Sequence, residues 1–338
     1  MRIVFIAPPF HTPWLGDNKW ITVPPEGYGG IQWIMKNIID SLLEDGHKIY
    51  LLGAPGSDLP NVEVIPVGHL HDIEEWLEKN VNKYDIVHDH SCRGVEFGRK
   101  IKWYSDKKIH SHYLSSLPYE KNNIVAASKA HAKYIGLPNV PVIPHPVNPA
   151  NYLFSEKKEN YLLYLGRVSK WKGSKEAAFF AKKANMKLIM AGPAWEEEYL
   201  EEIKKEYSCI VEYIGEIGGQ ERLQVLSKAF ATLVFSQSVD GPSGKIWVEP
   251  GSQVVSESAI CGTPVISSDN GCLKEIVPLV GRVIQDLHNI TNKDARNILS
   301  DLPSPKIVYE ACNEAWNYRK ISDKYFELYK KVLKGETW

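Results

Sequence analysis

WVEPGSQVVSESAICGTPVISS, residues 247–268, is the stretch from which the rest of the chain can be read. Glu249 and Glu257 bracket seven residues, and Pro250, Gly251 and Ser252 separate the first carboxylate from the run Gln253–Ile260. That run predicts a helix. Ser252 offers an N-cap, and Cys261-Gly262-Thr263-Pro264 supplies the stop. Val265-Ile266-Ser267-Ser268 follows at once as a buried strand. The Gly251-Ser252 turn places backbone N–H groups at the positive end of the helix, where a phosphate or a sugar oxygen can bind. Glu249 stands just before that end, and Glu257 projects from the second turn. An ionised carboxylate only accepts, so each can take two hydrogen bonds from neighbouring hydroxyls of a sugar ring. A pyrophosphate at the helix end with a carboxylate on either side is what a nucleotide sugar requires. Taken alone, the two acids also read as a solvated surface loop.

The same residues carry a family resemblance. E-x7-E followed by A-I-C-G-T-P-V-I-S-S-D resembles the signature of the family-four retaining glycosyltransferases of the GT-B fold, the glycosyl transferases group 1. The resemblance implies that Glu249 holds the donor sugar and Glu257 the ribose of the nucleotide. Family members carry Phe-Gly where this chain has Gly251-Ser252, so the turn departs locally from the pattern.

Composition narrows the class. With 338 residues the chain is long enough for two domains, each with its own core. Forty Lys and Arg against 41 Asp and Glu leave a net charge of −1, which gives no bulk electrostatic argument for nucleic acid or an anionic membrane. Five cysteines, at 92, 209, 261, 272 and 312, are odd in number and lack C-x2-C spacing, which reads as reduced thiols in a cytoplasmic protein. MRIVFIAPPF is too short for a signal core and is stopped by Pro8-Pro9. No stretch approaches the ~20 apolar residues of a membrane span. The expectation is a soluble protein, with shallow contact to a membrane surface left open.

In the first half, Arg2–Ala7 reads as a central strand, and a long loop from Pro8 to Tyr28 carries His11, Trp14, Asp17, Trp20 and Glu26. Gly29-Gly30 opens the helix Ile31–Leu43, and Lys48–Gly53 is the next strand. A dinucleotide fingerprint is disfavoured: Gly-Tyr-Gly-Gly comes some twenty residues after the strand, and no acid ends strand two. The resemblance implies that Gly29 and Gly30 let the backbone approach the donor phosphate; a plain helix-entry turn is the other reading. Further elements are a strand at Val62–Pro66, a helix at Ile73–Val81 and strands at Tyr84–His88, Lys108–His112 and Asn123–Ala127. His88 and His90 share a side of their strand, as do His110 and His112. Four histidines could hold a metal ion or could hydrogen-bond backbone and solvent. The resemblance places His90 against the donor sugar. Val142–Asn148 resembles the segment that closes the family's first domain, with His145-Pro146 in place of Asn-Gly, and SEKKEN at 155–160 reads as the linker.

The second half opens with the strand Tyr161–Leu165 and the turn Gly166-Arg167-Val168-Ser169-Lys170-Trp171-Lys172-Gly173, before a helix at Ser174. Arg167 and Lys172 thus stand at the C-terminal end of a parallel strand beside a helix N-terminus. Cations there stabilise the charge that a diphosphate leaving group gains as the glycosidic bond breaks; the competing reading is a solvated basic turn. G-R-x4-K-G is also the spacing that the resembling family uses for this task. Strands at Lys187–Ala191 and Val211–Ile214, a helix at Gln220–Lys228 and a strand at Ala231–Ser236 lead to a long loop, Gln237–Trp247. By resemblance the turn Gly215-Glu216-Ile217 lies near the nucleotide base. Ile307–Val332 reads as one long helical stretch whose aromatic stripe is core.

The expectation is therefore an α/β chain of the GT-B type. It has two Rossmann-like domains, 1–154 on the acceptor side and 155–310 for the donor, their parallel sheets facing across a cleft. Residues 311–338 form a C-terminal helix that crosses back to the first domain. The implied reaction moves a hexose from a UDP-, GDP- or ADP-sugar to a hydroxyl of a glycan, lipid-linked or small-molecule acceptor, with retention. Arg167, Lys172, Glu249 and His90 are the expected catalytic residues. Gly29, Gly30, Gly166, Ile217, Gly251, Ser252, Gln253, Val254 and Glu257 are the expected donor contacts, the amides of Ser252–Val254 meeting donor oxygens. No carboxylate of the first half is placed as a nucleophile, which fits a front-face mechanism. No Asp-x-Asp motif is present, so neither a metal nor any cofactor besides the nucleotide sugar is expected. A nucleotide-sugar epimerase of the same fold and an inactive sugar-nucleotide binding protein are the alternatives; a nicotinamide-dependent oxidoreductase fits less well.

Overall fold

Short aliphatic runs build two parallel sheets of six strands each in the computed structural model, which describes residues 1–8, 20–91, 107–113, 122–241 and 244–338. The chain divides into two units, one made of Met1–Pro146 with Tyr318–Trp338, the other of Val147–Asn317.

In the first unit the strands are β1 (Arg2–Ile6), β2 (Lys48–Gly53), β3 (Val62–Pro66), β4 (Ile86–Asp89), β5 (Lys108–His112) and β6 (Ile124–Ala126). They lie in the order β3-β2-β1-β4-β5-β6. Helix α1 (Gly30–Glu44) joins β1 to β2, α2 (Leu70–Lys79) joins β3 to β4, and α3 (Lys129–Tyr134) follows β6. The strand period of two sorts β1 onto two cores. Ile3 and Phe5 pack with Ile34, Met35 and Ile38 of α1, whereas Val4 and Ile6 pack with Ile73 and Leu77 of α2. Each such side chain, buried outright, stabilises the fold by about 1.5–3 kcal/mol. Both faces of the sheet are covered, which is why these strands read as unbroken apolar runs.

The second unit repeats the plan with β7 (Tyr161–Leu165), β8 (Lys187–Ala191), β9 (Val211–Gly215), β10 (Ala231–Val234), β11 (Val265–Ser267) and β12 (Gly281–Val283), ordered β12-β11-β10-β7-β8-β9. Its helices are α4 (Ser174–Ala184), α5 (Glu197–Glu206), α6 (Gly219–Lys228), α7 (Gln253–Ile260), α8 (Leu273–Ile276), α9 (Asn292–Ser300) and α10 (Pro305–Trp316). In each sheet the first strand lies between the second and the fourth. The chain therefore reverses its winding direction beside β1 and beside β7. Ligands of open α/β sheets bind at that reversal, outside the carboxyl ends of the strands.

Two expectations are corrected. The helical stretch 307–332 is two helices, α10 and α11 (Tyr318–Leu333), because the backbone turns extended at Asn317 (φ −52°, ψ 129°). Val147 pairs with Asn317 at that break, and its N–H donates to Trp316 O at 2.9 Å. The polar run 155–160 is no free linker. The chain enters the second unit at Val147, and Lys158 Nζ donates to Ser227 O, Cys261 O and Thr263 Oγ1 at 2.7–3.0 Å. Those two carbonyls belong to the C-terminal turns of α6 and α7, where a cation offsets the helix dipole. Helix α11 sets Ile321, Tyr325, Leu328, Tyr329 and Val332 into the core of the first unit. Among the described residues no helix is long and apolar enough to cross a membrane.

Candidate active site

At the reversal beside β7, two loops are locked together by their backbones. The turn after β7 ends in a short 3-10 turn, Lys170–Lys172, and then Gly173 at φ +70°. A Cβ at Gly173 would lie 1.8 Å from Phe235 O, so only glycine lets this turn close on the chain leaving β10. Gln237 N donates to Trp171 O at 2.9 Å and fastens the same two segments. The outcome is that Lys172 Nζ meets Glu249 Oε2 at 2.7 Å, across 77 residues of sequence.

That oxygen is crowded. It also accepts from Ser236 Oγ at 2.6 Å and from Trp247 Nε1 at 3.2 Å, while Oε1 takes no hydrogen bond among the described residues. Glu249 is 3% exposed. Burial pushes its carboxyl pKa up, but the Lys172 charge and the three donors more than offset this, and the group ends below its ordinary value. A buried anion with one oxygen saturated and the other available can accept from a ligand hydroxyl without rearranging. Its backbone is fixed as well. Asn270 Oδ1 accepts from Glu249 N–H at 2.7 Å, and Asn270 Nδ2 donates to Ser238 Oγ and Trp247 O. Cys272 N donates to Glu249 O at 2.9 Å.

Helix α7 starts where the sequence predicts, with Ser252 at its N-cap, but the Ser252 hydroxyl makes no capping bond. Ser252 and Gln253 are buried, and Val254 and Gly251 are half-buried. One turn further, Glu257 is buried and paired: Oε2 accepts from Arg222 Nη2 and Oε1 from Tyr152 OH at 3.0 Å. Burial alone would lower the Arg222 pKa, and the Glu257 charge overrides it to leave the guanidinium above its ordinary value. Burial, reinforced by Glu257, pushes the Tyr152 phenol well up. The two carboxylates thus stand in separate networks, Glu249 with Lys172 and Glu257 with Arg222.

Arg167 is held differently again. The turns after β7 and β8 run side by side, Val168 N donating to Pro193 O at 2.9 Å, which brings Trp195 under Arg167. The guanidinium carbon lies 3.1 Å from the Trp195 ring centre, a cation–π stack. Gly166 opens this turn, and a Cβ there would meet no atom within 4 Å, whereas one at Gly192 would strike Gly166 O at 2.0 Å. Ile217 is buried in the turn after β9.

Comparison with known proteins fits this geometry. The sequence profile of glycosyl transferases group 1 matches residues 151–279, which holds Arg167, Lys172, Glu249 and Glu257. AviGT4, a glycosyltransferase involved in avilamycin A biosynthesis, superposes with a TM-score of 0.93 at 42% identity, over 100% of this chain and 99% of its own. The chain belongs to the group 1 glycosyltransferases. An uncharacterized glycosyltransferase of Methanocaldococcus jannaschii is 28% identical over 325 residues, 75% of this chain and 80% of the relative. Anabaena HepE, solved in complex with UDP-glucose, shares the fold at a TM-score of 0.66 and 15% identity, over 98% of this chain and all of its own. The fold of the glycosyltransferase is accordingly GT-B.

In the first unit of this glycosyltransferase the histidines at the ends of β4 and β5 are buried and hydrogen-bonded. His88 contacts Tyr329 OH at 2.7 Å and Ser111 Oγ at 2.8 Å, and its ring lies 4.0 Å from that of His90. His90 Nδ1 contacts Tyr113 OH at 2.7 Å, while its Nε2 is buried without a partner among the described residues. Burial lowers the His90 pKa to about 3. His110 binds Asp89 at 3.2 Å and lies 3.4 Å from His112. Among the described residues no group of three or more His, Cys, Asp or Glu is placed to hold a metal ion. Gly29 caps α1, and a Cβ there would lie 2.6 Å from Pro25 Cβ, so local packing already accounts for that glycine. His11, Trp14, Asp17 and Cys92 lie outside the described residues.

Sequence reading passed over Tyr152, Arg222, Ser236, Trp247 and Asn270. Trp247 could have been found, since it stands two residues before Glu249. Asn270-Gly271 announces a turn. Arg222 lies 35 residues from its partner, and nothing local marks it.

Proposed function

We propose that this glycosyltransferase moves a hexose from a nucleoside diphosphate sugar to a hydroxyl acceptor and retains the anomeric configuration. One observation carries the reading: Glu249 keeps Oε1 available while Lys172 is bound to its other oxygen. A carboxylate so held accepts from sugar hydroxyls, and the adjacent ammonium faces the charge that forms on a departing phosphate. Arg167 supplies a second cation, and the start of α7 supplies N–H groups for donor oxygens. HepE, which has the same fold and was solved with UDP-glucose, supports a donor of this class. Glu257 contacts the ribose. With both carboxylates engaged by cations, neither serves as a nucleophile, and the leaving phosphate oxygen takes the acceptor proton on the same face. No divalent ion is required, because Lys172 and Arg167 provide the positive charge.

Titration calorimetry with nucleoside diphosphates and their sugars tests the assignment. Glu249→Gln should bind the free nucleoside diphosphate nearly as well as the parent enzyme and lose turnover with the nucleotide sugar. Glu257→Ala should weaken both ligands. Equal losses in the two variants would overturn the division of roles, and a wild-type enzyme that binds no nucleoside diphosphate sugar would overturn the donor class.

A further inference from the structure

Glu257 is buried, and its neighbours Tyr152 and Cys261 belong to an apolar core cluster. An ion pair buried in such surroundings stabilises a fold little or not at all relative to well-packed apolar residues of similar volume. The Arg222–Glu257 pair therefore needs a reason besides stability, and the hydrogen bonds supply one. Each carboxylate oxygen receives a single donor from the described residues, Tyr152 on Oε1 and Arg222 on Oε2. Each oxygen has two lone pairs, so each can accept one further hydroxyl, and the two oxygens of one carboxylate match hydroxyls on adjacent carbons.

We propose that Arg222 and Tyr152 are positioning residues of a vicinal-diol clamp, in which they hold Glu257 so that each of its oxygens receives one hydroxyl of the donor ribose. Arg222 anchors Oε2 with a charged hydrogen bond. Tyr152 sets its rotation, because a guanidinium fork prefers two parallel bonds to one carboxylate and would otherwise draw both oxygens to itself. The clamp rests on the nucleotide-donor reading and on Glu257 as the ribose contact, and adds the residues that make that contact selective.

The charged and titratable groups facing Glu257 are Arg222 on α6, Tyr152 before β7 and Cys261 at the end of α7, with Lys158 beyond Cys261. Burial pushes the Cys261 thiol up to about 12 and Lys158 down to about 8. Between about pH 5.5 and 7.5 these neighbours keep their protons, so none of them alters the clamp.

The experiment compares UDP, GDP and ADP with their 2′,3′-dideoxy counterparts, by calorimetry across that range. Each pair shares a diphosphate, so its protonation cancels in the ratio of affinities. The wild type should prefer the ribonucleotide by roughly 10- to 100-fold, the worth of hydrogen bonds to a charged group, at every pH. In Arg222→Met the carboxylate loses the donor on Oε2 that fixes it, so the preference should shrink. Arg222→Lys should keep most of the preference. Tyr152→Phe should lose about tenfold of it at all pH values, with dideoxynucleotide affinity unchanged. If Arg222→Met does not fold, Arg222→Lys and Tyr152→Phe decide. Preference unchanged in Tyr152→Phe and in every folded Arg222 variant overturns the clamp and leaves the donor class standing. A wild type indifferent to the diol removes Glu257 from the ribose, and with it the clamp. A wild type that binds none of these nucleotides removes the donor class and the clamp together.

Discussion

Lys172 and Glu249 hold each other, and this shapes what a substitution at either can report. Lys172→Ala removes the cation and strands a carboxylate that is 3% exposed, with Ser236 and Trp247 as its remaining donors. Leaving a buried anion short of its partner costs about 2–3 kcal/mol, somewhat less here because Lys172 is partly solvated. Lys172→Ala should therefore lower the melting temperature as well as kcat, the latter by about 10²–10³. Adding Glu249→Gln removes the stranded charge and should restore most of the lost stability without restoring turnover. Urea denaturation of the two single variants and the double one measures the coupling, expected to exceed about 1 kcal/mol. Strictly additive effects would mean that the contact contributes nothing to folding, and that any kinetic loss comes from the ligand alone.

At the scale of the elements, the site depends on how closely two loops approach. Gly173 and Gly215 both have positive φ, at +70° and +77°, but only Gly173 faces an atom where a Cβ would stand. Gly215→Ala should cost about 1–2 kcal/mol, the strain of a left-handed L-residue. Gly173→Ala should cost more, since Phe235 O must also move, and it should carry Lys172 away from Glu249. Equal losses on urea denaturation would show that the approach of the two loops is unimportant. This is also where the sequence was most and least legible. The helix Gln253–Ile260 and the strands Lys108–His112, Tyr161–Leu165 and Lys187–Ala191 are found as read, because apolar period and Gly or Pro punctuation are local signals. Arg167, Lys172, Glu249 and Glu257 were visible through their spacing. Their partners were not. Tyr152 and Arg222 reach Glu257 from 105 and 35 residues away, and such pairings arise only once the sheet has set the order of its strands. Helix α9 was missed despite its capping box, Thr291 with Asp294, because an exposed polar helix has no apolar run to announce it.

For the whole molecule, the two units should respond differently to acid. Burial lowers the pKa of His88, and that of His90 to about 3, so folding favours the neutral rings. An unfolded chain takes up these protons near pH ~6.5. The stability that the neutral rings contribute is complete above that value and is lost as the pH falls toward about 3, reaching about 2–3 kcal/mol for His90 alone by about pH 4.5. Asp89, which His110 holds below its ordinary value despite burial, loses its contribution only at still lower pH. Hydrogen exchange, corrected for its intrinsic pH dependence, should show β4 and β5 losing protection in mild acid before β7 and β8. The reverse order would contradict the burial of neutral histidines as the acid-sensitive feature.

The first unit is assembled from two pieces of chain, and that sets an order of events on the ribosome. Val147–Asn317 is continuous and can close its core as soon as its own residues have emerged. The unit made earlier must wait. Its sheet lacks Tyr325 and Tyr329, and His88 lacks the phenol that satisfies its Nδ1, until α11 has been synthesised. Until then the part of the sheet face that Tyr325 and Tyr329 cover lies open on the nascent chain, and the unit that precedes Val147 in sequence closes after the one that follows it.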